Sequence, residues 1–365
     1  MYVVIFSSLL ALFLTFLESK RGLKNGMKYG FMLVTFIAMI HYNYGNDYES
    51  YYSAYNQVVS TPFNISDIMQ GEVYREPGWA LLCYLFEYLG GFFMMVAILN
   101  LIQNVIYYKA IEKYVPKKFW VYSVFVYLFT INFYVMNFSM MRQGLTVALF
   151  FAMWPLLRDK KFWITIPMIY ALSLVHSSAL ILYPFAFIGF IPSGRKTTVS
   201  IAFLMVVLWL LLLTNGSLVQ TLFEQIVGFD EAFISMTQRY ESSEGAGGFG
   251  LGAFIYLTPF FALLYFLFKD KASSEEIHIM AIFSLLHVVV APFNNIIHLV
   301  GRLAIYFNTF SIICYPIAYS FIPNKPLRYC FATLLAFIIG YDYYLFFFGD
   351  GWEAFKEFHT IFEVL

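Results

Sequence analysis

The chain has 365 residues with equal numbers of acidic and basic side chains, and only 12% of its residues are charged against 61% that are hydrophobic. Soluble domains carry about 25% charged residues, so this composition excludes a water-soluble globule. A net charge of zero argues against a nucleic-acid partner. The three scattered cysteines fit neither a disulfide framework nor a zinc site.

The apolar segments predict an all-α, polytopic membrane protein with a single transmembrane domain over residues 1–365. A membrane helix needs about 20 mostly apolar residues. Basic residues follow the first apolar segment rather than precede it, which is the reverse of a secretory signal peptide, so we predict a retained span with its N-terminus outside. The twelve predicted spans lie near residues 2–17, 27–45, 92–111, 119–136, 143–157, 162–177, 178–192, 199–214, 251–268, 277–293, 303–321 and 327–347.

The basic residues predict the orientation of these spans and favour twelve over the alternative count of eleven. Eleven spans result if residues 162–192 form one helix that is broken at Pro184. With twelve spans, six basic clusters that hold 17 of the 22 lysines and arginines share one side, which the positive-inside rule makes cytoplasmic. The basic residues that remain are Arg75, Arg142, Arg239, Arg302 and Lys356.

Two external segments are too long to be plain turns, and residues 46–91 form the first. Pro77 after Glu76 is a helix-start signature, and the helix predicted for 77–89 would be about 20 Å long, so it lies at the membrane interface or re-enters. Before this helix, five tyrosines recur at helical spacing and predict a short amphipathic helix with one aromatic stripe: Tyr44, Tyr48, Tyr51, Tyr52 and Tyr55.

The second external segment, residues 215–250, reads as an amphipathic helix, a polar stretch and the glycine-rich run GAGGFG. The glycines follow no strand, so a dinucleotide site is excluded and a mobile external loop is predicted. Arg239 in this loop would reach down as a clamp on a substrate.

Ionisable and polar groups at membrane depth are candidates for function because burying them in lipid costs several kcal/mol. Arg142 and Gln143 begin a span from the outside in NFSMMRQG, and His176 interrupts the apolar run LSLVHSSALILYP beside two serines. A lone arginine at a span end is often only a lipid-phosphate anchor, and a lone histidine is often a packing residue. The polar neighbours of both favour a hydrated external cavity instead.

Further candidates lie at external helix junctions. Asp47 and Glu76 each abut a helix end near the membrane, while Arg75 has a strong alternative as a plain loop charge. Arg302 follows two asparagines and a histidine at another external junction. Asp47 and Glu49 form the only DxE pair for a divalent ion. No other metal site and no cofactor is predicted.

Together these residue types indicate a sugar carried on a diphosphate. Arginine pairs with diphosphate oxygens in a bidentate way, tyrosine rings stack on sugars, and a histidine or carboxylate can deprotonate a sugar hydroxyl. The chain has no zinc-ligand spacing, no GxSxG elbow and no Walker motif.

At these residues the sequence resembles the EpsG family, a branch of the Wzy-type polymerases of bacterial exopolysaccharide, capsule and O-antigen. The matching pieces are GNDYESYYSAY, REPGWALL, MRQGLTVAL and KKFWITIPMIYALSLVHSSALILYP, in the family's order over residues 40–185. The resemblance implies many transmembrane helices and an undecaprenyl-diphosphate-linked oligosaccharide as substrate. It carries over one functional set: Asp47, Tyr48, Glu76, Arg142, Gln143 and His176.

We therefore predict a polysaccharide polymerase of the bacterial cytoplasmic (inner) membrane with its active site facing outside. In this prediction Arg142 and Arg302 bind the diphosphate, His176 or Glu76 is the base, and Asp47 orients it. The substrate-binding group is completed by Arg75, Arg239, Gln143, Tyr44, Tyr48, Tyr51 and Tyr52. Expected partners are membrane lipids, the lipid-linked oligosaccharide, and a chain-length regulator and flippase.

Two other functions stay open. A flippase or transporter of lipid-linked sugars would need polar residues along a path through the bilayer. A ligase would pass the glycan to another lipid acceptor by the same chemistry. An assembly subunit without activity is the structural alternative.

Overall fold

The computed structural model covers most of the chain, which forms two compact units. The first unit is Met1–Phe187 with Ala336–Leu365, and the second is Ile188–Leu335. Most of the predicted span 199–214 and the whole predicted loop 215–250, including Arg239, lie outside the described residues. The structure describes residues 1–192, 258–269, 275–290 and 298–364, with isolated positions between 197 and 207.

Helices dominate both units. In the first unit they are α1 (Tyr2–Arg21), α2 (Gly26–Ile40), α3 (Tyr48–Ser60), α4 (Ile65–Met69), α5 (Pro77–Leu89), α6 (Gly91–Tyr114), α7 (Trp120–Phe129), α8 (Met141–Ala152), α9 (Trp154–Arg158) and α10 (Phe162–Val175). A 3₁₀ helix, Ser177–Phe190, follows α10, and shorter ones lie at Lys117–Phe119 and Met136–Phe138. Later in the chain come α11 (Thr258–Lys269), α12 (Glu275–Val290), α13 (His298–Asn308), α14 (Ser311–Phe321) and α15 (Lys325–Phe348).

Several helices are suited to a membrane. Among the described residues, α1, α6 and α15 are long and apolar enough to cross one. Gly301–Asn308 and Ser311–Phe321 meet the same test as a single span bent by 58°. The predicted all-α membrane architecture is therefore confirmed, while the number of twelve spans stays a prediction.

Helices α1 and α2 form a close hairpin because small residues line their contact. Gly22 ends α1 in the left-handed conformation at φ 80°, which glycine adopts without strain. A Cβ atom at Gly30 would lie 2.8 Å from the carbonyl oxygen of Ala11, so only glycine permits this approach. Glu18, buried at the hairpin turn, accepts hydrogen bonds from the Met27 N–H and the Lys117 Nζ, both at 2.9 Å.

The end of the chain returns to the end of α2. There β1 (His41–Tyr42) pairs antiparallel with β2 (His359–Thr360), and the Met1 ammonium donates to the Lys356 carbonyl at 2.9 Å.

The predicted external segment 46–91 folds as three helices, α3, α4 and α5, of which α3 and α5 pack around an aromatic core. Helix α5 begins at Pro77 and ends at Leu89 as predicted, and Glu76 is its N-cap residue. The tyrosine stripe also forms a helix, α3, but its rings point inward. Tyr51 packs on Trp79 with 5.6 Å between ring centroids, and these rings belong to the buried cluster that joins α3, α5 and α6.

The predicted boundaries fail where the backbone turns before the apolar run ends. Helix α7 ends at Phe129, because Thr130 adopts an extended conformation, so the predicted span 119–136 is too long. The alternative of one helix over 162–192 that is broken at Pro184 does not fit, whereas the predicted boundary between 162–177 and 178–192 lies close to the observed one. The α-helix already ends at Val175, where His176 is extended at φ −150° and ψ 114°, so Pro184 interrupts no α-helical hydrogen bond.

The second unit contains the predicted external arginine Arg302 on α13. In this unit α12 packs against α13, and His287 of α12 shares a 3.0 Å hydrogen bond with the Ala304 carbonyl. That bond gives His287 a structural role.

Candidate active site

The candidate active site forms around Glu76 at the start of α5. A residue before proline is held out of the α region, and Glu76 accordingly has φ −103° and ψ 104°. The positive end of a helix stabilises a carboxylate in this position. The residue is only 6% exposed, so its charge must be balanced by protein groups.

Arg142 supplies that balance from the first turn of α8. Its Nη1 lies 2.6 Å from the Glu76 Oε2, which is the distance of a strong charge-assisted hydrogen bond. The two residues are 66 positions apart in the chain. Glu76 and Arg142 therefore pair only through the tertiary fold.

Aromatic rings surround the arginine. The Arg142 guanidinium carbon lies 5.2 Å from the ring centroid of Tyr51, 5.3 Å from that of Tyr74 and 5.9 Å from that of Trp79. Cations at such distances are attracted to ring faces, more strongly where water is excluded. The rings hold the guanidinium in place, and its side chain remains 19% exposed.

His176 approaches the same carboxylate from the end of α10. Its Nδ1 lies 3.8 Å from the Glu76 Oε1, and the Ser177 hydroxyl donates to that oxygen at 3.4 Å. The break after Val175 turns the backbone so that both residues face α5. A continuous helix through this segment would not place consecutive side chains on one partner.

Gly78 allows α5 and α10 to come this close. A Cβ atom at Gly78 would lie 2.9 Å from the backbone carbonyl carbon and oxygen of Leu174. Backbone atoms cannot rotate away as a flexible side chain can, so any larger residue would push α10 outward. Gly78 thus sets the separation between Glu76 and His176.

Electrostatics keeps Glu76 ionised. Burial raises the pKa of its carboxyl, but the nearby His176 ring and the Arg142 charge outweigh burial. The net result is a pKa below the ordinary value for glutamate. A carboxylate of this kind stabilises positive charge well and accepts a proton poorly.

Asp47 lies beside this cluster as the N-cap residue of α3. Its backbone N–H donates to the Ser139 hydroxyl at 3.1 Å, which ties α3 to the turn that leads into α8. The side chains of Asp47 and Glu49 are exposed. Among the described residues no group of three His, Cys, Asp or Glu side chains could hold a metal ion.

The predicted arginine, glutamate, glutamine and histidine site residues form three groups: those that converge, those that lie beside them in the chain, and those that lie elsewhere. Glu76, Arg142 and His176 converge, while Gln143 is buried next to Arg142 in α8 and Arg75 is exposed beside Glu76. Arg302 belongs to the second unit and Arg239 lies outside the described residues.

Two tyrosines require a correction. Tyr44 and Tyr48 are fully buried, and their rings pack edge-on against Phe138 and His41 respectively. Rings buried in this way have no face open to a sugar, so the predicted stacking role is wrong for both. Tyr51 contacts Arg142 instead, and Tyr52 is only partly buried.

The sequence reasoning missed Tyr74 and Trp79 as parts of the site. Both flank Glu76 closely in the chain, and Trp79 belongs to the motif REPGWALL. Aromatic residues on either side of a carboxylate that needs a cationic partner were the available signal. This sequence pattern indicates a cation packed against Tyr74 and Trp79, but only the tertiary structure identifies that cation as Arg142.

Comparison with known proteins now adds to this geometry. A model described as the EpsG family matches residues 29–359, which is nearly the whole chain. The chain belongs to the EpsG family. No curated protein and no solved structure matches it.

EpsG membership confirms the resemblance and extends it. The motifs quoted above cover residues 40–185, whereas the family match also includes the second unit and all of α15. Together with the apolar helices, membership identifies a membrane protein of the polysaccharide-polymerase type.

Proposed function

We propose that this protein is a polymerase that transfers a growing glycan from its undecaprenyl diphosphate to the non-reducing end of a lipid-linked repeat unit. The reaction takes place on the outer face of the cytoplasmic membrane. The observation that carries this proposal is the convergence of Glu76, Arg142 and His176 at the start of α5.

In the proposed reaction a hydroxyl oxygen of the acceptor sugar forms a bond to the anomeric carbon of the donor glycan. The bond between that carbon and the diphosphate oxygen breaks, and the lipid diphosphate leaves with the electron pair. The hydroxyl proton passes to a protein base. A diphosphate is a good leaving group, so the protein must mainly position the reactants and stabilise charge.

Of the two candidate bases, the geometry favours His176. Glu76 is ionised and paired with Arg142, and its lowered pKa makes it a weak base. Its Oε1 lies 3.8 Å from the His176 Nδ1 and stabilises the imidazolium that forms when the ring accepts a proton. This division of roles is the one used by carboxylate–histidine pairs in hydrolases.

Arg142 is the proposed diphosphate ligand. A guanidinium has five N–H donors, and the bond from Nη1 to Glu76 occupies one of them. Its Nε–H is buried and has no hydrogen-bond partner among the described residues. An oxygen of the leaving group would satisfy a donor of this kind. Arg302 stays proposed as a further diphosphate ligand on the basis of charge, and Arg239 as a clamp on the substrate.

The test is product analysis in a strain whose own copy is deleted and replaced by Arg142→Ala. We expect long chains to disappear while single repeat units still reach the cell surface. The matched control is Arg158→Ala, which removes a guanidinium that pairs with the neighbouring Asp159. Repeat units trapped on the cytoplasmic face would indicate a flippase, and polymer of normal length from Arg142→Ala would refute the assignment.

A further inference from the structure

A cavity in the first unit lies apart from the Glu76 cluster. It has a volume of about 590 Å³ and lies between the end of α7, the following turn and the last turns of α15. Small-molecule sites occupy about 300–1,000 Å³, so the cavity is large enough for a sugar unit. Its walls include Asn132, Met136, Asp342, Phe346, Asp350 and Trp352.

Asp342 is the unusual member of this wall. It lies within the last two turns of α15, a helix that is otherwise apolar enough to cross a membrane. A carboxylate costs several kcal/mol in that setting unless it faces water or polar groups. Asp342 is partly buried here, and the polar residues Asn132 and Asp350 line the same cavity.

The charges of the cavity define what it can accept. Asp342 and Asp350 give it a negative lining, which repels a phosphate or diphosphate. Trp352 offers an aromatic surface and is held by Phe346 with 4.6 Å between ring centroids. Carboxylate and amide groups beside an aromatic ring suit the hydroxyls and the apolar face of an uncharged pyranose.

A short segment connects this cavity to the Glu76 cluster. The Asn46 amide donates to the Gly351 carbonyl at 3.5 Å, and the Gly45 N–H donates to the Ala354 carbonyl at 3.2 Å. The next residue, Asp47, is bonded to the turn before α8. Hydrogen bonds from residues 45–47 thus link the C-terminal segment that contains Trp352 to the turn that precedes Arg142.

We infer that this cavity is a second subsite, which binds an uncharged sugar unit of the glycan while its diphosphate is at Arg142. The inference rests on the proposed function. It assigns the two parts of one substrate to two places of opposite charge, with the diphosphate at the arginine and the neutral sugar at the carboxylates.

The test uses the full chain in lipid nanodiscs and a phosphate-free oligosaccharide prepared by mild hydrolysis of the cell's own polysaccharide. Asp342→Asn and Trp352→Ala should each weaken its binding about tenfold, the effect of losing one aromatic or polar contact. In cells both variants should shift the polymer towards shorter chains. Trp352→Phe keeps the ring that packs on Phe346 and should bind more tightly than Trp352→Ala.

Matched controls separate this inference from the proposed function. Asp67→Asn and Trp163→Ala change a partly exposed and an exposed residue of the same types and should leave binding and chain length unchanged. Arg142→Ala should stop polymer formation but still bind the phosphate-free oligosaccharide. Parent-like binding by both Asp342→Asn and Trp352→Ala, or no binding by the parent chain, would overturn the subsite. Normal polymer from Arg142→Ala would refute the proposed function instead.

Discussion

The first unit contains two buried glutamates with different surroundings. Glu18 accepts a backbone N–H and the ammonium of Lys117, whose side chain is 55% exposed. Glu76 faces Arg142, His176 and a serine hydroxyl, and the side chains of Arg142 and His176 are largely buried. A carboxylate bound by the backbone and a solvated lysine holds a turn together. One that faces buried, titratable side chains can take part in proton and charge transfer.

Neutralising each glutamate in turn tests this contrast most directly. Glu76→Gln should lower polymer formation about 10³-fold, because it leaves both Arg142 and His176 without their anionic partner. Glu18→Gln should leave the rate of polymer formation unchanged in protein that still inserts. Polymer yield per inserted protein is the measurement, and equal losses in the two variants would contradict the contrast.

Removing the proposed base has the next largest effect. His176→Gln retains a polar side chain and should lower the rate about 10²-fold, the contribution of one general base. The melting temperature should change little, because the Glu76–Arg142 ion pair remains. The rate of chain extension in nanodiscs gives the first value and thermal unfolding the second. An unchanged rate would transfer the role of base to another residue.

The spacing between α5 and α10 can be changed by a single methyl group. Gly78→Ala places a Cβ atom against the Leu174 backbone and should reduce activity about tenfold by moving His176 away from Glu76. Gly340→Ala is the control, because an added Cβ atom in that part of α15 meets nothing within 4 Å. Loss of activity in Gly340→Ala would show that the effect is not specific to the α5–α10 contact.

A smaller effect is expected in the pH dependence of the stability that ionised Glu76 contributes. Its pKa is lowered in the folded protein, so its stabilising contribution is complete above the unfolded value of about 4.3 and is lost as pH falls through the folded pKa. The melting-temperature difference between the parent and Glu76→Gln should be constant above about pH 5 and shrink below it. A difference that grows at acidic pH would contradict the lowered pKa.

The smallest effect belongs to the solvated partner of Glu18. Lys117→Ala should cost less than about 1 kcal/mol of stability, because exposed ammonium groups contribute little to ion pairs. Polymer formation should be unaffected, since the Met27 N–H still binds the carboxylate. Unfolding in denaturant measures the change, and a cost of several kcal/mol would mean that Glu18 depends on this charge.

Local signals predicted the parts of the fold that depend on neighbouring residues. Glu76 followed by Pro77 specified the start of α5, since proline fixes φ and a carboxylate favours a helix N-terminus. The predicted boundary between 162–177 and 178–192 lies two residues beyond the end of α10 at Val175, whereas the alternative break at Pro184 lies nine residues beyond it.

Long-range pairing was beyond the sequence. Arg142, Glu76 and His176 were each selected as a polar residue at a span end, but no spacing predicts which side chains meet across three helices. The tyrosine stripe shows the same limit. Helical spacing predicts α3 and its aromatic face, but a face of tyrosines suits a membrane boundary, a sugar or a core equally well, and tertiary packing decides among them.

The pairing of β1 with β2 has a consequence for how the protein is made. A ribosome adds about 10 residues per second, so the strand at His41–Tyr42 waits roughly half a minute for its partner at His359–Thr360. The strand pair that lies next to Asp47 in the chain is therefore completed only after almost all of residues 1–360 have been synthesised. A nascent chain that stalls before His359 would form most of its helices and still lack the pairing of β1 with β2.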